Sequence, residues 1–114
     1  MAGEDSLDKL YELSLLYDFY GELLKENHRQ MFEDYVLNNY SLGEIAQERG
    51  ISRQGVHDSV KRTSRQLEEY EEKLGLLGKF KKTKEKVSQI QLLAENRPEL
   101  KEIYHLSKEI LEEL

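Results

Sequence analysis

Six polar side chains that could contact nucleic acid fall between residues 53 and 65 of the chain. They are Arg53, Gln54, His57, Lys61, Arg62 and Arg65. A guanidinium fork recognises guanine and an amide recognises adenine in the major groove, so Arg53 and Gln54 suit contacts to bases. Lys61, Arg62 and Arg65 suit contacts to phosphates, which position a protein without reading sequence. This chemistry indicates a nucleic-acid interface carried by one helix.

The residues before this segment have the pattern of the first helix and turn of a helix-turn-helix. Ser41 and Glu44 have the spacing of a capping box, which predicts the start of a short helix. Ala46 is small enough for a close crossing with the next helix. Gly50 can adopt the left-handed conformation that ends a helix, and Ile51 follows as an apolar plug.

The second helix of this motif begins after Ser52, which can cap it, and runs to about Leu74. Val56 and Val60 are four residues apart and face the core. The predicted outer half then comprises Arg53, Gln54, His57, Asp58, Lys61 and Arg65. Asp58 shares that outer half and would repel phosphate. The expected binding is therefore modest and salt-sensitive. The alternative is a purely structural helix-turn-helix with a solvated polar face.

Apolar spacing predicts two helices before the motif. The first is capped by Ser6 and buries one face, widened by Tyr17 and Tyr20. That face comprises Leu7, Leu10, Tyr11, Leu15, Phe19 and Leu23. The second runs from about Glu26 to Leu37 and ends at Asn38 and Asn39. Its inward residues are Met31, Phe32, Tyr35 and Val36, and the other tyrosines, such as Tyr40, are expected to pack mostly in the core.

Two more helices are predicted after the motif. Residues 75 to 78 should break the long helix, so a fifth helix runs from about Lys79 to Glu95, and Pro98 opens the last one. Their apolar residues are Phe80, Val87 and Ile90, then Leu100, Ile103, Leu106, Ile110 and Leu114. These faces exceed what a small core buries, so we expect a homodimer or another protein partner. The five lysines between residues 79 and 86 favour a solvated face over a second nucleic-acid site.

Composition and charge fit this organisation. The chain has 114 residues, one proline and abundant Leu, Glu and Lys, which predicts one all-α domain, 1–114. Within it we place a helix-turn-helix core at 23–70 and a C-terminal helical extension at 75–114. The net charge of −6 is uneven: residues 1–48 hold three basic and eleven acidic residues, whereas residues 53–65 hold four basic and one acidic. The acidic total therefore conceals a basic segment.

Several function classes are disfavoured by the same sequence. It has no cysteine, His28, His57 and His105 lie far apart, and no glycine-rich phosphate loop is present. We therefore expect no enzyme activity, no cofactor and no metal site. The acidic start and the lack of an apolar run of about 20 residues predict no signal peptide and no membrane span. The expected location is the cytoplasm.

Stretches of the chain resemble a known family. Residues 40–46, YSLGEIA, and residues 50–56, GISRQGV, resemble DNA-binding region 4 of bacterial sigma factors. Residues 16–24, LYDFYGELL, and residues 52–58, SRQGVHD, resemble the YlxM family of small bacterial helix-turn-helix proteins, over nearly the whole chain. The resemblance implies an all-helical, sigma region 4-like fold and a regulatory role in DNA binding. It also implies a link to the signal recognition particle, whose RNA or protein component would then be the alternative partner to DNA.

Overall fold

The computed structural model describes residues 7–114, and in that range the chain forms helices and no strand. The helices are α1 (Leu7–Tyr20), α2 (Glu26–Phe32), α3 (Leu42–Arg49), α4 (Arg53–Leu74), α5 (Leu76–Ala94) and α6 (Lys101–Glu113). Single 3-10 turns occupy Gly21–Leu23 and Pro98–Leu100, and a π-helical turn, Glu33–Leu37, extends α2. The all-α prediction is confirmed. The predicted cap at Ser6 lies outside the described residues.

The chain divides into two compact units, residues 7–75 and Leu76–Leu114. The first contains α1 to α4 and therefore the whole helix-turn-helix. The second contains only α5 and α6. The single domain, 1–114, with its core at 23–70 and its extension at 75–114, stays a prediction.

The long helix α4 organises the first unit, because α1, α2 and α3 all pack against it. The side chains that these contacts bury most completely are Tyr20, Phe32, Ile45, Val56 and Leu67. The Phe32 ring also stacks on Tyr17, with 5.5 Å between the ring centroids. Tyr20 donates a hydrogen bond of 2.5 Å to Glu71, which fixes α1 along α4. This core presents the opposite face of α4 outward.

The predicted buried face of α1 is confirmed for Tyr17 and Tyr20 and wrong for its other residues. Leu7 and Tyr11 are exposed, as are Phe19 and, in the following turn, Leu23. The buried residues are Leu13, Leu16, Tyr17 and Tyr20. Apolar residues surround α1 on most sides, so spacing alone admits more than one face, and packing against α4 selects among them.

The second helix follows the prediction with one local change. The α-helical hydrogen bonds of α2 end at Phe32, and the chain continues as a π turn to Leu37. Met31 and Phe32 are buried as predicted, whereas Tyr35 and Val36 in the wider turn are only half-buried. Asn39 then adopts a left-handed φ of 60° and ends the segment. Tyr40 is exposed, contrary to the expectation that the tyrosines pack.

The expected break over residues 75 to 78 is shorter in the structure. Gly75 adopts a left-handed φ of 64° and ends α4, and α5 begins at Leu76, the very next residue. One residue in this conformation is enough to turn the chain out of a helix. Gly78 therefore lies inside α5, where a glycine costs only about 1 kcal/mol relative to alanine.

The second unit is a hairpin of α5 and α6, which pack on each other. Its buried residues are Leu77, Val87, Ala94 and Ser107. The apolar residues predicted on the last helix are largely exposed, including Ile103, Leu106 and Ile110. Two short helices have one shared side, so they cannot cover both flanks of a wide apolar face.

No helix within residues 7–114 is both long and apolar enough to span a bilayer.

Candidate nucleic-acid interface

The first helix of the motif is fixed by a reciprocal cap. The Glu44 backbone N–H donates to the Ser41 hydroxyl at 3.0 Å, and the Ser41 backbone N–H donates to the Glu44 carboxylate at 3.0 Å. The hydrogen bonds from the Ser41 backbone and side chain lower the pKa of Glu44. The predicted capping box is confirmed.

Removal of this cap should measurably destabilise the protein. We expect Ser41→Ala to lower the free energy of unfolding by about 1 kcal/mol, because the Glu44 N–H in the first turn loses its ordered acceptor. Urea denaturation measures the difference. Thr83→Ala, a similar truncation at an exposed position inside α5, serves as the control. An equal loss in both variants would contradict the role of the cap.

The lowered pKa of Glu44 also sets a pH dependence. A carboxyl whose pKa is lower in the folded state contributes stability above its unfolded pKa and loses it as the pH falls through the folded pKa. Glu44→Gln can keep the hydrogen bond but not the charge. We expect the urea midpoint of the wild type to exceed that of Glu44→Gln at neutral pH and to converge with it as the pH falls through the folded pKa of Glu44. A difference that persists at acid pH would contradict this cause.

The turn between the two helices has the predicted backbone. Gly50 adopts φ 68° and ψ 31°, and its N–H and that of Ile51 both donate to the Ala46 carbonyl. Ala46 is buried, as the close crossing requires. The expected plug is wrong, since Ile51 is 44% exposed. A Cβ atom at position 55 would lie 3.9 Å from the Ile51 Cδ1 atom. Ile51 therefore packs beside the first turn of α4 and does not enter the core.

The second helix begins as predicted. The Ser52 hydroxyl accepts a hydrogen bond from the Gly55 N–H at 2.9 Å. A Cβ atom at position 55 would lie 3.1 Å from that hydroxyl oxygen, which explains a glycine there. Val56 and Val60 are buried and fix the rotation of α4 about its axis.

That rotation determines which predicted site residues share a face. Each residue turns an α-helix by about 100°, so positions four or seven apart lie nearly in line. Gln54, Asp58, Lys61 and Arg65 therefore form one column, directly opposite the buried valines, and all four are exposed. We call this column the outer column.

The other predicted site residues flank the outer column. Arg53 is exposed on one side of it, and His57 lies on that same side with only 18% of its side chain exposed. Arg62 lies on the other side. The structure therefore brings Gln54, Lys61 and Arg65 together and separates Arg62 from them.

Hydrogen bonds within α4 occupy part of this face. The Gln54 amide donates to the Asp58 carboxylate at 2.9 Å and lies 3.3 Å from the His57 Nδ1 atom. That nitrogen is also 3.6 Å from the Asp58 carboxylate. The amide that the sequence offered for adenine recognition is thus engaged by an acidic neighbour.

A groove with a volume of about 540 Å³ runs beside the outer column, between α1 and α4. His57, Lys61 and Arg65 contribute to its lining. Its opposite wall includes Lys9, which forms an ion pair of 3.5 Å with Glu68. Sequence reasoning missed Lys9, because only the packing of α1 brings it to this face.

The charge of α4 changes sign along its length. Residues 53–65 hold four basic side chains and one acidic, a net of +3. Residues 66–74 hold four glutamates and one lysine, a net of −3. Glu44 and Glu48 are exposed on α3. Along α4, an approaching phosphate backbone is therefore attracted by the first half of the helix and repelled by the second.

Across residues 7–114, no three His, Asp or Glu side chains gather in a way that could hold a metal ion.

A short capped helix, a left-handed glycine and a second helix with an exposed basic face together define a helix-turn-helix protein. Residues 7–111 match the family described as "Putative helix-turn-helix protein, YlxM / p13 like", and the chain belongs to this family. The predicted family membership is confirmed.

Similar proteins occur in several bacteria. The chain is 45% identical over 109 residues to the UPF0122 protein YlxM of Bacillus subtilis, covering 96% of this chain and 98% of that protein. A relative from Halalkalibacterium halodurans is 51% identical over 85 residues, which are 75% of this chain and 78% of the relative. A Geobacillus relative is 45% identical over 109 residues, 95% of this chain and 98% of the relative. The names of these relatives state no ligand.

Proposed function

We propose that this protein is a regulator that binds duplex DNA through the first half of α4. The observation that carries the proposal is the outer column, in which Lys61 and Arg65 project from the second helix of a helix-turn-helix, opposite the buried valines. A duplex accepts such a helix in its major groove, where basic side chains reach the phosphates on either side. Arg53 is at the N-terminal end of the same helix, and in helix-turn-helix proteins the residues at that end of the second helix contact base edges.

The hydrogen bonds on this face limit what it reads. Gln54 is held by Asp58, so Arg53 is the main candidate for a base contact. Lys61, Arg62 and Arg65 contribute attraction to the backbone, which does not depend on sequence. The proposed binding is consequently dominated by phosphate contacts and weakens with salt.

The RNA of the signal recognition particle is the second candidate ligand. Double-stranded RNA is bound through its backbone and shape, because its major groove is too narrow to be read by side chains. A basic face with few base-reading groups suits that mode of binding. The resemblance to the YlxM family supports this candidate, and the particle's protein component is the partner it would involve.

The test measures binding to a mixed-sequence DNA duplex and to the particle's RNA over a salt series, by fluorescence anisotropy. For DNA, we expect Lys61→Ala/Arg65→Ala to reduce the slope of log affinity against log salt by about 1.8, since two phosphate contacts are lost. The control is Arg97→Ala/Lys108→Ala, which removes one lysine and one arginine from exposed positions in the second unit.

The outcomes separate the candidates. Binding to DNA with the expected change in slope supports the proposal, and binding to the RNA alone favours the second ligand. If neither ligand binds at low salt, or if both double variants behave alike, α4 is not a nucleic-acid interface. The helix-turn-helix would then be a structural module of a protein adaptor.

A further inference from the structure

The second unit, Leu76–Leu114, exposes more apolar side chains than it buries. The buried ones are Leu77, Val87 and Ala94. The large exposed ones are Leu76, Ile90, Leu92, Leu93, Ile103, Leu106, Ile110 and Leu114. Units of fewer than about 40 residues usually need a disulfide, a metal or oligomerisation to be stable. The chain has no cysteine, so a disulfide cannot stabilise this unit. Its exposed apolar side chains favour stabilisation by association with another chain.

On α5, the exposed apolar residues near its end divide between two sides. Val87 marks the side that faces α6, because it is buried in the hairpin. Every third residue steps back by about 60° around a helix, so Ile90 and then Leu93 lie progressively to one side of Val87. Leu92 lies on the other side. Leu92 and Leu93 are 68% and 70% exposed, so their accessibility is nearly equal. They differ in the side of α5 on which they lie.

On α6, the exposed apolar residues lie to one side of the buried Ser107. Around the axis of α6, Ile103, Leu106 and Ile110 are displaced from Ser107 in one direction. Ile90 and Leu93 are displaced from Val87 in that same direction around the axis of α5, when each helix is viewed from its N-terminus. The short connection makes the two helices antiparallel. Residues that are displaced in the same direction from the facing sides of two antiparallel helices lie on the same face of the hairpin. The exposed residues on this face are Ile90, Leu93, Ile103, Leu106 and Ile110, which we call the hairpin patch.

The two edges of this face carry opposite charges. Lys82 and Lys86 lie at the outer edge of α5, beside the patch. Glu109 and Glu113 lie at the outer edge of α6. All four side chains are exposed, and the antiparallel pairing places these lysines and glutamates at the same end of the hairpin. One edge of the face is thus the electrostatic complement of the other.

We propose that the hairpin patch binds the hairpin patch of a second copy of this chain. A two-fold axis parallel to the helices places each α5 against the α6 of the other copy, which forms an antiparallel four-helix bundle. This arrangement brings Lys82 and Lys86 of one copy beside Glu113 and Glu109 of the other. The apolar halves meet in the same register, Ile90 and Leu93 against Ile103 and Leu106.

The size of the patch agrees with a dimer. Five side chains of this exposure contribute on the order of 500 Å² of apolar surface, which is the size of the largest, often functional, apolar patches on soluble proteins. With the charged edges, each copy approaches the roughly 800 Å² that a specific interface buries per partner. A dimer would also carry two helix-turn-helix units, but its formation does not depend on nucleic acid. Its test therefore uses the protein alone and is separate from the test of the proposed function.

The first experiment is sedimentation equilibrium of the full chain over a range of concentrations. We expect a dimer, and we expect Leu93→Glu to raise its dissociation constant by about a hundredfold, since two buried leucines are lost per dimer. Leu92→Glu introduces the same charge one residue away and should leave the constant unchanged. Circular dichroism confirms that both variants remain folded. A monomeric wild type, or equal effects of the two substitutions, overturns the proposal.

The second experiment tests the register. The chain has no native cysteine, so single cysteines report contacts between copies without interference. Chains with Lys82→Cys are mixed with chains with Glu113→Cys and oxidised. We expect the mixed disulfide to exceed both self-linked products well beyond the statistical ratio, because the proposed axis brings position 82 to position 113 of the other copy. A statistical mixture, or preferred self-linking, contradicts this arrangement.

Discussion

Replacing Phe32 by alanine should lower the free energy of unfolding by about 3–5 kcal/mol, the largest effect expected for any single substitution considered. Phe32 is fully buried at the end of α2, and its ring stacks on Tyr17. Truncation removes the apolar surface and leaves a cavity that the surrounding helices fill only in part. Domains of this size have total stabilities of about 5–15 kcal/mol, so a large share of the stability would be lost.

Urea denaturation at neutral pH measures this loss. Phe19→Ala makes the same chemical change on α1, where the ring is 37% exposed, and should cost less than half as much. The slope of free energy against urea concentration should stay constant in both variants if unfolding remains two-state. Equal losses would show that Phe32 is not the centre of the core.

The helix-turn-helix could be predicted because its signals are local. Ser41 and Glu44 cap a helix through partners three residues away, and Gly50 ends it through its own backbone conformation. Ser52 repeats the same local bond at the start of α4. None of these features depends on the rest of the chain, so the sequence suffices to locate them.

The buried face of α1 could not be predicted in the same way. Leu7 and Tyr11 fit a helical spacing as well as Leu13 and Leu16 do, yet only the latter pair is buried. The choice depends on contacts with α4, some fifty residues later in the chain. The groove beside the outer column has the same origin, because Lys9 reaches it only through that packing.

The hydrogen bond between Gln54 and Asp58 could be predicted only in part. The two residues are four apart on one helix, a spacing at which an amide and a carboxylate regularly meet. The sequence therefore contains a signal that the Gln54 amide is engaged by Asp58, in addition to the repulsion of phosphate that the Asp58 charge predicts. In the structure, the Asp58 carboxylate that would repel phosphate is the same group that accepts the hydrogen bond from the Gln54 amide.

Asp58→Asn should consequently strengthen binding to duplex DNA by about tenfold at low salt, since a unit charge near phosphates costs roughly 1–2 kcal/mol at a partly solvated surface. The substitution removes the negative charge from the outer column and weakens the hold on the Gln54 amide. Its effect should shrink as salt rises, because exposed charges separated by more than about 10 Å are screened at 0.1 M salt. Fluorescence anisotropy over the same salt series measures both quantities.

Asp18→Asn is the matched control for this substitution. Asp18 is exposed on α1, and its replacement changes the net charge by the same amount away from the outer column. If the position of the charge matters, Asp58→Asn strengthens binding and Asp18→Asn hardly changes it. If the two variants gain affinity equally, net charge alone governs binding and the outer column has no special role. Weaker binding by Asp58→Asn would instead mean that Asp58 holds Gln54 or His57 in the orientation that the duplex requires.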